Sequence, residues 1–525
     1  MIALLLACAS PPATDSAPVV DEGPLVALEA PRLLRRMSLD LRGILPTADE
    51  LDAVEADPST LPALRDAYLD DPLLEERLVH LLAERWHTRV DVFDLEYYDF
   101  QLDPELEYAF ERAAGEEPLR LMARIVAEDR PWTDIVLADY TMANPLLGEI
   151  WPVAYPEGGA GWQPVSWTDG RPAAGVLASN GLWWRYTSSD TNMNRSRAAA
   201  ITKLLLCEDF LARPITFARE SVVANPEEAV HTDPGCLACH AAVDPLASAL
   251  FGFWWLSLYS AAEEVRYHPE RELLGEEYLG VSPAWFGEPI RGLSDLGYAV
   301  AGDSRFYTCA VETMVQGLWR RPPTLEEFDA LESLRRVFLA EDVRMKALLR
   351  AVTDTPQYQA GALSPDAEAA DIEREVVSRL LSPDQLSGVV EALTGYRWTY
   401  DGFDQMDNDS LGYRVMVGGV DGSTVGDPQR TPGLTWALVT ERLAQAGAAS
   451  AAATGRVDVG LRPGDASFEG TLVSLHWQLY ARRADAEWLS DVSALWAAVE
   501  ASEGPEAAWA SVLSVMLRDP DFLSY

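Results

Sequence analysis

The chain has 525 residues, of which 48% are hydrophobic and 9% aromatic, so it can bury the cores of about two to four globular domains. Its 83 acidic residues outnumber its 41 basic residues and give a formal net charge of -42. Such a surface repels the phosphates of nucleic acids and the headgroups of anionic lipids, which argues against both as partners.

The first residues, "MIALLLACAS", form a short apolar run that ends at Cys8 and is followed by a proline-rich segment without periodicity. This pattern resembles a bacterial lipoprotein signal, in which Cys8 would be lipidated and become the first residue of the mature chain. It departs from such signals because no Lys or Arg precedes the run. The alternative is an ordinary apolar terminus. We expect an exported protein, in the periplasm or on the outer membrane or cell surface, that touches a membrane only through its lipid.

The apolar spacing predicts a mainly α protein of multi-helix domains with irregular loops rich in Gly, Pro and Trp and at most short β-hairpins. After a signal and linker at 1–24, an N-terminal helical domain is predicted over 25–144. A loop-rich region with one good helix follows over 145–300, then a helical closing domain over 301–362. A C-terminal helical domain with a loop or hairpin insert is predicted over 363–525.

Two local patterns sharpen this outline. A helix is predicted from about 196 to 211, with Asn194 as its cap and with Leu204 and Leu211 in its apolar stripe. In addition, the segments that begin at Met314 and at His476 share an Arg pair after a helix and then two further helices. A fainter third relative begins near Arg35. This echo predicts a helical hairpin that is used more than once.

The strongest chemical signal is Cys236-Leu-Ala-Cys239-His240, in the order Cys-x-x-Cys-His. Covalent attachment of haem requires two thiols one helical turn apart, which add to the two vinyl groups, and an adjacent imidazole that reaches the iron. Cys236, Cys239 and His240 have this spacing. The sequence therefore predicts one covalent haem c with His240 as an axial ligand of the iron.

The sixth ligand of such an iron is ambiguous. Met314 and His268 are the downstream candidates, and Met193 lies upstream. The helical context of Met314 is also that of an ordinary core residue. An open or water-filled sixth position is a further alternative.

Other readings of the cysteines stay open at this stage. Zinc needs four ligands, and only the isolated His231 and His268 lie within reach along the sequence. A thioredoxin-like pair needs a helix that starts at the motif, whereas "HTDPG" before Cys236 predicts a turn. A plain disulfide within the motif is possible in an exported protein. Cys207 and Cys309 are predicted either to pair across the site or to be two buried thiols.

Catalytic patterns are not recognised: there is no Gly-x-Ser-x-Gly, no Gly-rich phosphate loop and no His-Glu-x-x-His. Asp404, Asp407 and Asp409 form an acidic cluster that is read as a solvated loop, with a calcium site as the alternative. An electron carrier is thus a better hypothesis than a hydrolase.

These residues together resemble a set of uncharacterised domains known as planctomycete cytochrome-C-like domains. The segments "LLRRMSLDLRGILPTADELDAV", "DRPWTDIVLADYTMANPLL", "GVLASNGLWWRYTSS" with "CLACHAAVDPLASALFGF", and "RFYTCAVETMVQGLWRRPPTLEEF" carry the resemblance over residues 30–360. The resemblance implies a cytochrome-like role for Cys236, Cys239 and His240. This chain departs from the family at "ASALFGFW", where the family pattern has an acidic residue and then Phe-Asp.

The sequence therefore predicts an exported protein with a single haem that exchanges electrons with an unknown redox partner protein outside the cytoplasm. The alternative is a haem-free surface or scaffold lipoprotein, in which the cysteine motif is a disulfide clasp that joins helical repeats.

Overall fold

A computed structural model describes most of the chain and contains 26 α-helices and four two-stranded antiparallel sheets in the part that it describes. The prediction of a mainly α fold is confirmed. The described residues are 24–90, 100–214, 226–253, 260–400, 402–407 and 411–525.

The helices vary in length from one turn to about six turns. Those of the first half are Ala30–Arg42, Ala48–Ala56, Leu61–Leu69, Leu73–Trp86, Glu107–Ala127, Asp134–Leu137, Pro145–Ile150, Asn180–Arg185, Arg195–Leu206, Pro226–Thr232, Pro234–Ser248 and Ala261–Glu264. Those of the second half are Leu274–Leu279, Leu293–Ala301, Ser304–Trp319, Phe328–Ala340, Met345–Thr353, Pro356–Gln359, Ala369–Arg374, Pro383–Thr394, Tyr413–Met416, Leu434–Ala453, Ala466–Tyr480, Ala486–Glu503, Pro505–Arg518 and Pro520–Leu523.

Each of the four sheets in the described part of the chain is a pair of short antiparallel strands. Leu25–Ala27 pairs with Ala360–Leu363, and so joins the start of the described chain to the end of the predicted closing domain. The remaining ribbons pair Thr141–Ala143 with Gln163–Val165, Ala284–Trp285 with Glu288–Pro289, and Thr399–Tyr400 with Phe403–Asp404. The last of these is the hairpin expected in the C-terminal insert.

Two hydrophobic cores hold most of the helices. The larger core takes its residues from Leu33 to Tyr358, with Trp477 and Ala481 added, so the three segments predicted as domains between 25 and 362 share it. The second core lies between residues 381 and 525 and includes Leu39. The C-terminal region therefore buries apolar surface of its own.

A buried polar junction ties the two cores together. The guanidinium of Arg36 donates to the carbonyls of Tyr358 at 2.6 Å, Ala360 at 2.7 Å and Tyr525 at 3.2 Å. Asp40 accepts from Arg379 at 3.1 Å and from the hydroxyl of Tyr525. Within the "RRMSLD" segment, Arg36 thus satisfies buried backbone carbonyls, and Asp40 accepts hydrogen bonds from two side chains of the C-terminal region.

The repeated helical hairpin predicted from the sequence is visible in the helix ends. In each of three places a helix stops at a left-handed residue, and four positions later a Thr or Asp begins the next helix, which at Thr324 opens with the 3-10 turn Leu325–Glu327. The left-handed residue and the cap are Gly43 with Thr47, Arg320 with Thr324, and Ala481 with Asp485. A left-handed residue satisfies the last carbonyls of one helix, and the cap satisfies the first amides of the next.

One predicted helix is shorter than expected. The helix placed at 196–211 runs from Arg195 to Leu206, and Cys207 at φ 54° closes it. Leu211, assigned to the apolar stripe, lies beyond this end and is 83% exposed. Asn194 precedes the helix in a left-handed conformation, and its side chain makes no capping bond.

No helix in the described ranges is long and apolar enough to cross a membrane. The predicted lipidation site, Cys8, lies outside the described residues.

Candidate functional site

The Cys-x-x-Cys-His sequence lies on the helix Pro234–Ser248, which we call the motif helix. Asp233 caps it by accepting a hydrogen bond from the amide of Gly235 at 2.8 Å, and Pro234 occupies the first helical position, where its missing N–H costs nothing. The turn predicted at "HTDPG" is reduced to a break at Asp233, because one helix ends at Thr232 and the next begins at Pro234. The motif occupies the first two turns of the helix.

Besides the helix Pro226–Thr232, which directly precedes it, three elements hold the motif helix. It packs against the helix Arg195–Leu206, the helix Leu274–Leu279 and the strand Ala284–Trp285. At Gly275 a Cβ atom would lie 2.4 Å from the carbonyl oxygen of Ser248, so only glycine permits this approach. The packing anchors the C-terminal turns of the motif helix and leaves its first turns nearer the surface.

Cys236 and Cys239 are free thiols in this structure, and both are partly exposed. Their spacing places them one turn apart on the same helix. Burial, Asp233 and the neighbouring Cys239 raise the pKa of the Cys236 thiol above its ordinary 9.0. A reactive redox thiol requires the opposite shift, so this environment does not favour a thioredoxin-like pair.

His240 is held by a chain of polar contacts that continues to another helix. Its Nδ1 lies 2.8 Å from Oδ1 of Asp244, one turn further along the motif helix. Asp244 also accepts from Nε of Arg195 at 2.7 Å and from its Nη2 at 3.2 Å. The contacts of His240 within the described chain all use Nδ1. The arrangement therefore fixes one edge of the ring and leaves Nε2 at the other.

The carboxylate of Asp244 is almost completely buried, with 3% of its side chain exposed, against 26% for His240. Burial raises the pKa of Asp244, but the hydrogen bonds from His240 and Arg195 outweigh it and leave the pKa below 3.8. Asp244 is thus a charged group inside the protein. A carboxylate on Nδ1 is the usual outer partner of a metal-binding imidazole, because it orients the ring and strengthens its donor nitrogen.

The predicted sixth-ligand candidates lie in different surroundings. Met314 is 1% exposed in the larger core, on the helix Ser304–Trp319; this helix and the motif helix both pack against Arg195–Leu206. Both ring nitrogens of His268 are engaged, Nε2 with the carbonyl of Glu263 at 3.1 Å and Nδ1 with the carboxylate of Glu270 at 3.3 Å. Met193 precedes Arg195 and packs partly buried on the core.

Cys207 and Cys309 form a disulfide with a Cα–Cα distance of 5.1 Å. It links the end of Arg195–Leu206 to the helix Ser304–Trp319, across 102 residues of sequence. This pair therefore cross-links one neighbour of the motif helix, Arg195–Leu206, to the helix Ser304–Trp319, at the end of Arg195–Leu206 away from Arg195.

The acidic cluster in the insert has partners in the described part of the chain. Asp407 accepts from Arg89 and from Arg112, the latter at 2.7 Å, and Asp404 accepts from the hydroxyl of Ser387 at 3.0 Å. Asp409 lies outside the described residues. Within the described ranges no group of three His, Cys, Asp or Glu side chains is arranged to hold a metal ion.

Asp244 and Arg195 were missed by the sequence reasoning. The signal for Asp244 was present, since a carboxylate four residues after His240 lies on the same helical face. The contact with Arg195 joins positions 49 residues apart, and only the packing of two helices reveals it.

The donor set of the motif fits a covalently attached haem. It offers two unbonded thiols at helical spacing and an imidazole whose Nδ1 is already bound to a carboxylate. Comparisons with family models, with curated proteins and with solved structures found no match for this chain.

Proposed function

We propose that this protein is an exported c-type cytochrome that carries one haem on Cys236 and Cys239, with His240 as an axial ligand, and that it transfers electrons outside the cytoplasm. The observation that carries the proposal is the buried Asp244, which holds Nδ1 of His240 while Arg195 holds Asp244. A haem bound there supplies one-electron oxidation and reduction of its iron.

The protein's own residues have distinct parts in this proposal. Cys236 and Cys239 would hold the haem through thioether bonds, and His240 would offer Nε2 to its iron. Asp244 fixes the ring orientation and Arg195 neutralises the buried carboxylate. Placing the site on a helix that three elements support limits movement of the imidazole, which favours rapid electron transfer to a partner.

The rival hypothesis, a scaffold protein with the motif as a disulfide clasp, has less support. Cys236 and Cys239 lie on one helix, so a bond between them would join no two elements. The pair Cys207–Cys309 already makes a cross-link between helices. Two free thiols beside an oriented imidazole are better explained by a cofactor.

We propose as well that the redox partner is another protein and that the site of action is the periplasm or the cell surface. A single haem passes one electron, so a donor and an acceptor are both required. The surface charge of -42 favours a partner with a basic face, because opposite charges steer association. Any membrane attachment would run through a lipid on Cys8.

The experiment is expression of the full chain together with the cytochrome c maturation machinery, followed by a pyridine haemochrome spectrum. We expect the absorbance of a haem with both vinyl groups saturated, retained after extraction with acidified acetone. The variant with Cys236→Ser and Cys239→Ser should lose all haem. If the wild-type protein releases its haem on extraction or binds none, the cytochrome hypothesis fails and the scaffold becomes the better account.

A second pair of variants tests whether His240, and not another histidine, binds the iron. His240→Ala should change the spectrum of the iron, whereas His231→Ala, on the exposed end of the preceding helix, should not. The volume-conserving Met314→Leu, together with His268→Gln and Met193→Leu, then tests the sixth position. The variant that shifts the Soret band identifies the ligand, and no shift in any of them indicates an open or water-filled position.

A further inference from the structure

A polar cavity lies away from the motif helix, beside the disulfide. It has a volume of about 40 Å³ and lies between the helices Leu73–Trp86 and Ser304–Trp319 and the segment 427–430 of the C-terminal insert. Its polar lining comes from Glu84, Arg85, Thr313, Gln316, Arg320, Asp427 and Arg430. A cavity of this size holds a molecule of a few heavy atoms, or a small number of waters.

Arg85 is the unusual member of this lining. Its Nη2 makes only long contacts, 3.3 Å to the carbonyl of Lys203 and 3.5 Å to Sγ of Cys207. Its Nε is buried and has no hydrogen-bond partner among the described residues, and no described carboxylate forms an ion pair with it. A partly buried guanidinium in this state is costly unless a partner is supplied from outside the chain.

The nearby acids do not supply that partner. Glu84 is engaged by Arg320, with Nη1 to Oε2 at 2.8 Å and Nη2 to Oε1 at 3.3 Å. Glu312 attracts Arg85 electrostatically, but it forms no ion pair or hydrogen bond with Arg85 among the described residues, and burial raises the pKa of this acid above its ordinary value. The hydrogen bonds of the Arg85 guanidinium within the described residues are therefore limited to the two long contacts of its Nη2.

Neutral donors complete the lining. The side chains of Thr313 and Gln316 line the cavity and make no hydrogen bond within the described chain. A hydroxyl and an amide group next to a guanidinium match the acceptor oxygens of a carboxylate or a phosphate. Asp427 and Arg430 are exposed at the rim, and so the cavity is reached from solvent.

We propose that this cavity binds a small oxyanion, a carboxylate or inorganic phosphate, through the guanidinium of Arg85, with Thr313 and Gln316 as further donors. The proposal does not depend on the haem. It assigns a ligand to the three donor side chains of the lining, Arg85, Thr313 and Gln316, whose hydrogen bonds within the described residues are long or absent.

The test is isothermal titration calorimetry of the full-length protein with sodium phosphate, sodium acetate and sodium chloride at equal ionic strength. We expect saturable one-site binding of phosphate or acetate and none of chloride. Arg85→Gln should weaken the binding by roughly ten- to a hundredfold, the value of a charge-assisted pair of hydrogen bonds. Arg291→Gln, which removes an 89% exposed arginine far along the surface, should leave it unchanged.

A second variant covers the case in which Arg85→Gln does not fold. Gln316→Leu keeps the charge, removes the amide, and should weaken the binding several-fold. Equal heats with all three salts, or oxyanion affinity that survives in whichever of the two variants folds, would overturn the proposal, because the heat would then come from general screening or from another site.

Discussion

The two cysteine pairs of this protein have opposite surroundings. Cys207 and Cys309 are 102 residues apart in sequence, yet they are bonded to each other between two helices. Cys236 and Cys239 are three residues apart, yet both thiols are free and partly exposed. Proximity in sequence therefore does not predict which cysteines are bonded to each other. The distant pair forms a disulfide between two helices, whereas the adjacent pair has two free thiols.

Two buried carboxylates, Asp244 and Glu117, also differ in their surroundings, and their pKa values are shifted in opposite directions. Burial is the largest influence on both, but Asp244 meets two cationic or polarisable donors, which lower its pKa. Glu117 accepts from neutral donors, the hydroxyl of Thr141 at 2.6 Å and the amide of Gly181 at 2.9 Å; burial outweighs these and the attraction to Arg171 and raises its pKa to about 8. Asp244, beside the motif, is therefore ionised at neutral pH, whereas Glu117, in the core, is mostly protonated. The polar groups near His240 are therefore arranged differently from those that only fill the interior.

The largest expected effect concerns the bonded cysteines. Replacing Cys207 and Cys309 by Ser removes a cross-link over 102 residues, which should lower the free energy of unfolding by about 4 to 5 kcal/mol in the chain-entropy account. Urea unfolding of haem-free protein measures this. Cys236→Ser with Cys239→Ser, in the same assay, should change the free energy by less than about 1 kcal/mol. Similar losses for the two double variants would remove the contrast between the pairs.

The next effect concerns Glu117. Its raised pKa means that the folded state keeps a proton which the unfolded chain releases above about 4.5, so its contribution to stability falls as the pH rises from there to about 8. The free energy of unfolding of Glu117→Gln, relative to the wild type, should therefore rise by roughly 4 to 5 kcal/mol between pH 4 and pH 9. Urea unfolding at both pH values gives the result. Glu105→Gln, at an exposed position, serves as the control.

If the difference between Glu117→Gln and the wild type is the same at both pH values, Glu117 is not held neutral and the carboxylate comparison fails.

A smaller effect is expected at Asp244. Asp244→Asn leaves the guanidinium of Arg195 without its carboxylate and should cost about 1 to 3 kcal/mol at neutral pH. Because the folded pKa is lowered, the contribution of Asp244 is present above the unfolded value of 3.8 and is lost as the pH falls through the folded value. The difference in the free energy of unfolding between Asp244→Asn and the wild type should therefore become smaller at acidic pH.

The surface pair Arg291–Asp295 is the matched control, since Arg291 is 89% exposed. Asp295→Asn should cost less than about 1 kcal/mol. An equal cost at Asp244 and Asp295 would mean that the buried contact adds nothing to stability.

The smallest perturbation is chemical labelling without mutation. Iodoacetamide applied to folded, haem-free protein under non-reducing conditions should modify Cys236 and Cys239 and leave Cys207 and Cys309 unmodified until a reductant and a denaturant are added. Peptide mapping by mass spectrometry reads the pattern. Modification of Cys309, which is 1% exposed, before unfolding would show that the distant pair is not bonded.

Local sequence signals predicted much of the fold. Periodicity indicated the helices, and Thr47, Thr324 and Asp485 mark repeated starts that follow known capping rules. The end of the helix at Leu206 was misplaced, because Leu211 continues the apolar spacing while the left-handed Cys207 stops the helix. The helix ends where Cys207 meets Cys309, and this long-range contact cannot be read from the local spacing of apolar residues.

In the candidate site, too, the sequence predicted the local relations but not the contacts between separate helices. Cys236, Cys239 and His240 were found from spacing, because their relation is local to one helix. The orientation of His240 was not, since it depends on Arg195 from another helix. The cavity around Arg85 combines residues from three separate segments and had no sequence signature.

The most direct test of the account is the mass of the peptide that contains Cys236 and Cys239, isolated under denaturing conditions from protein matured with the cytochrome c machinery. The account predicts that this peptide carries one haem and no free thiol, while Cys207 and Cys309 are recovered as one disulfide-linked pair. Recovery of the Cys236–Cys239 peptide without haem, with both thiols open to alkylation, would contradict it.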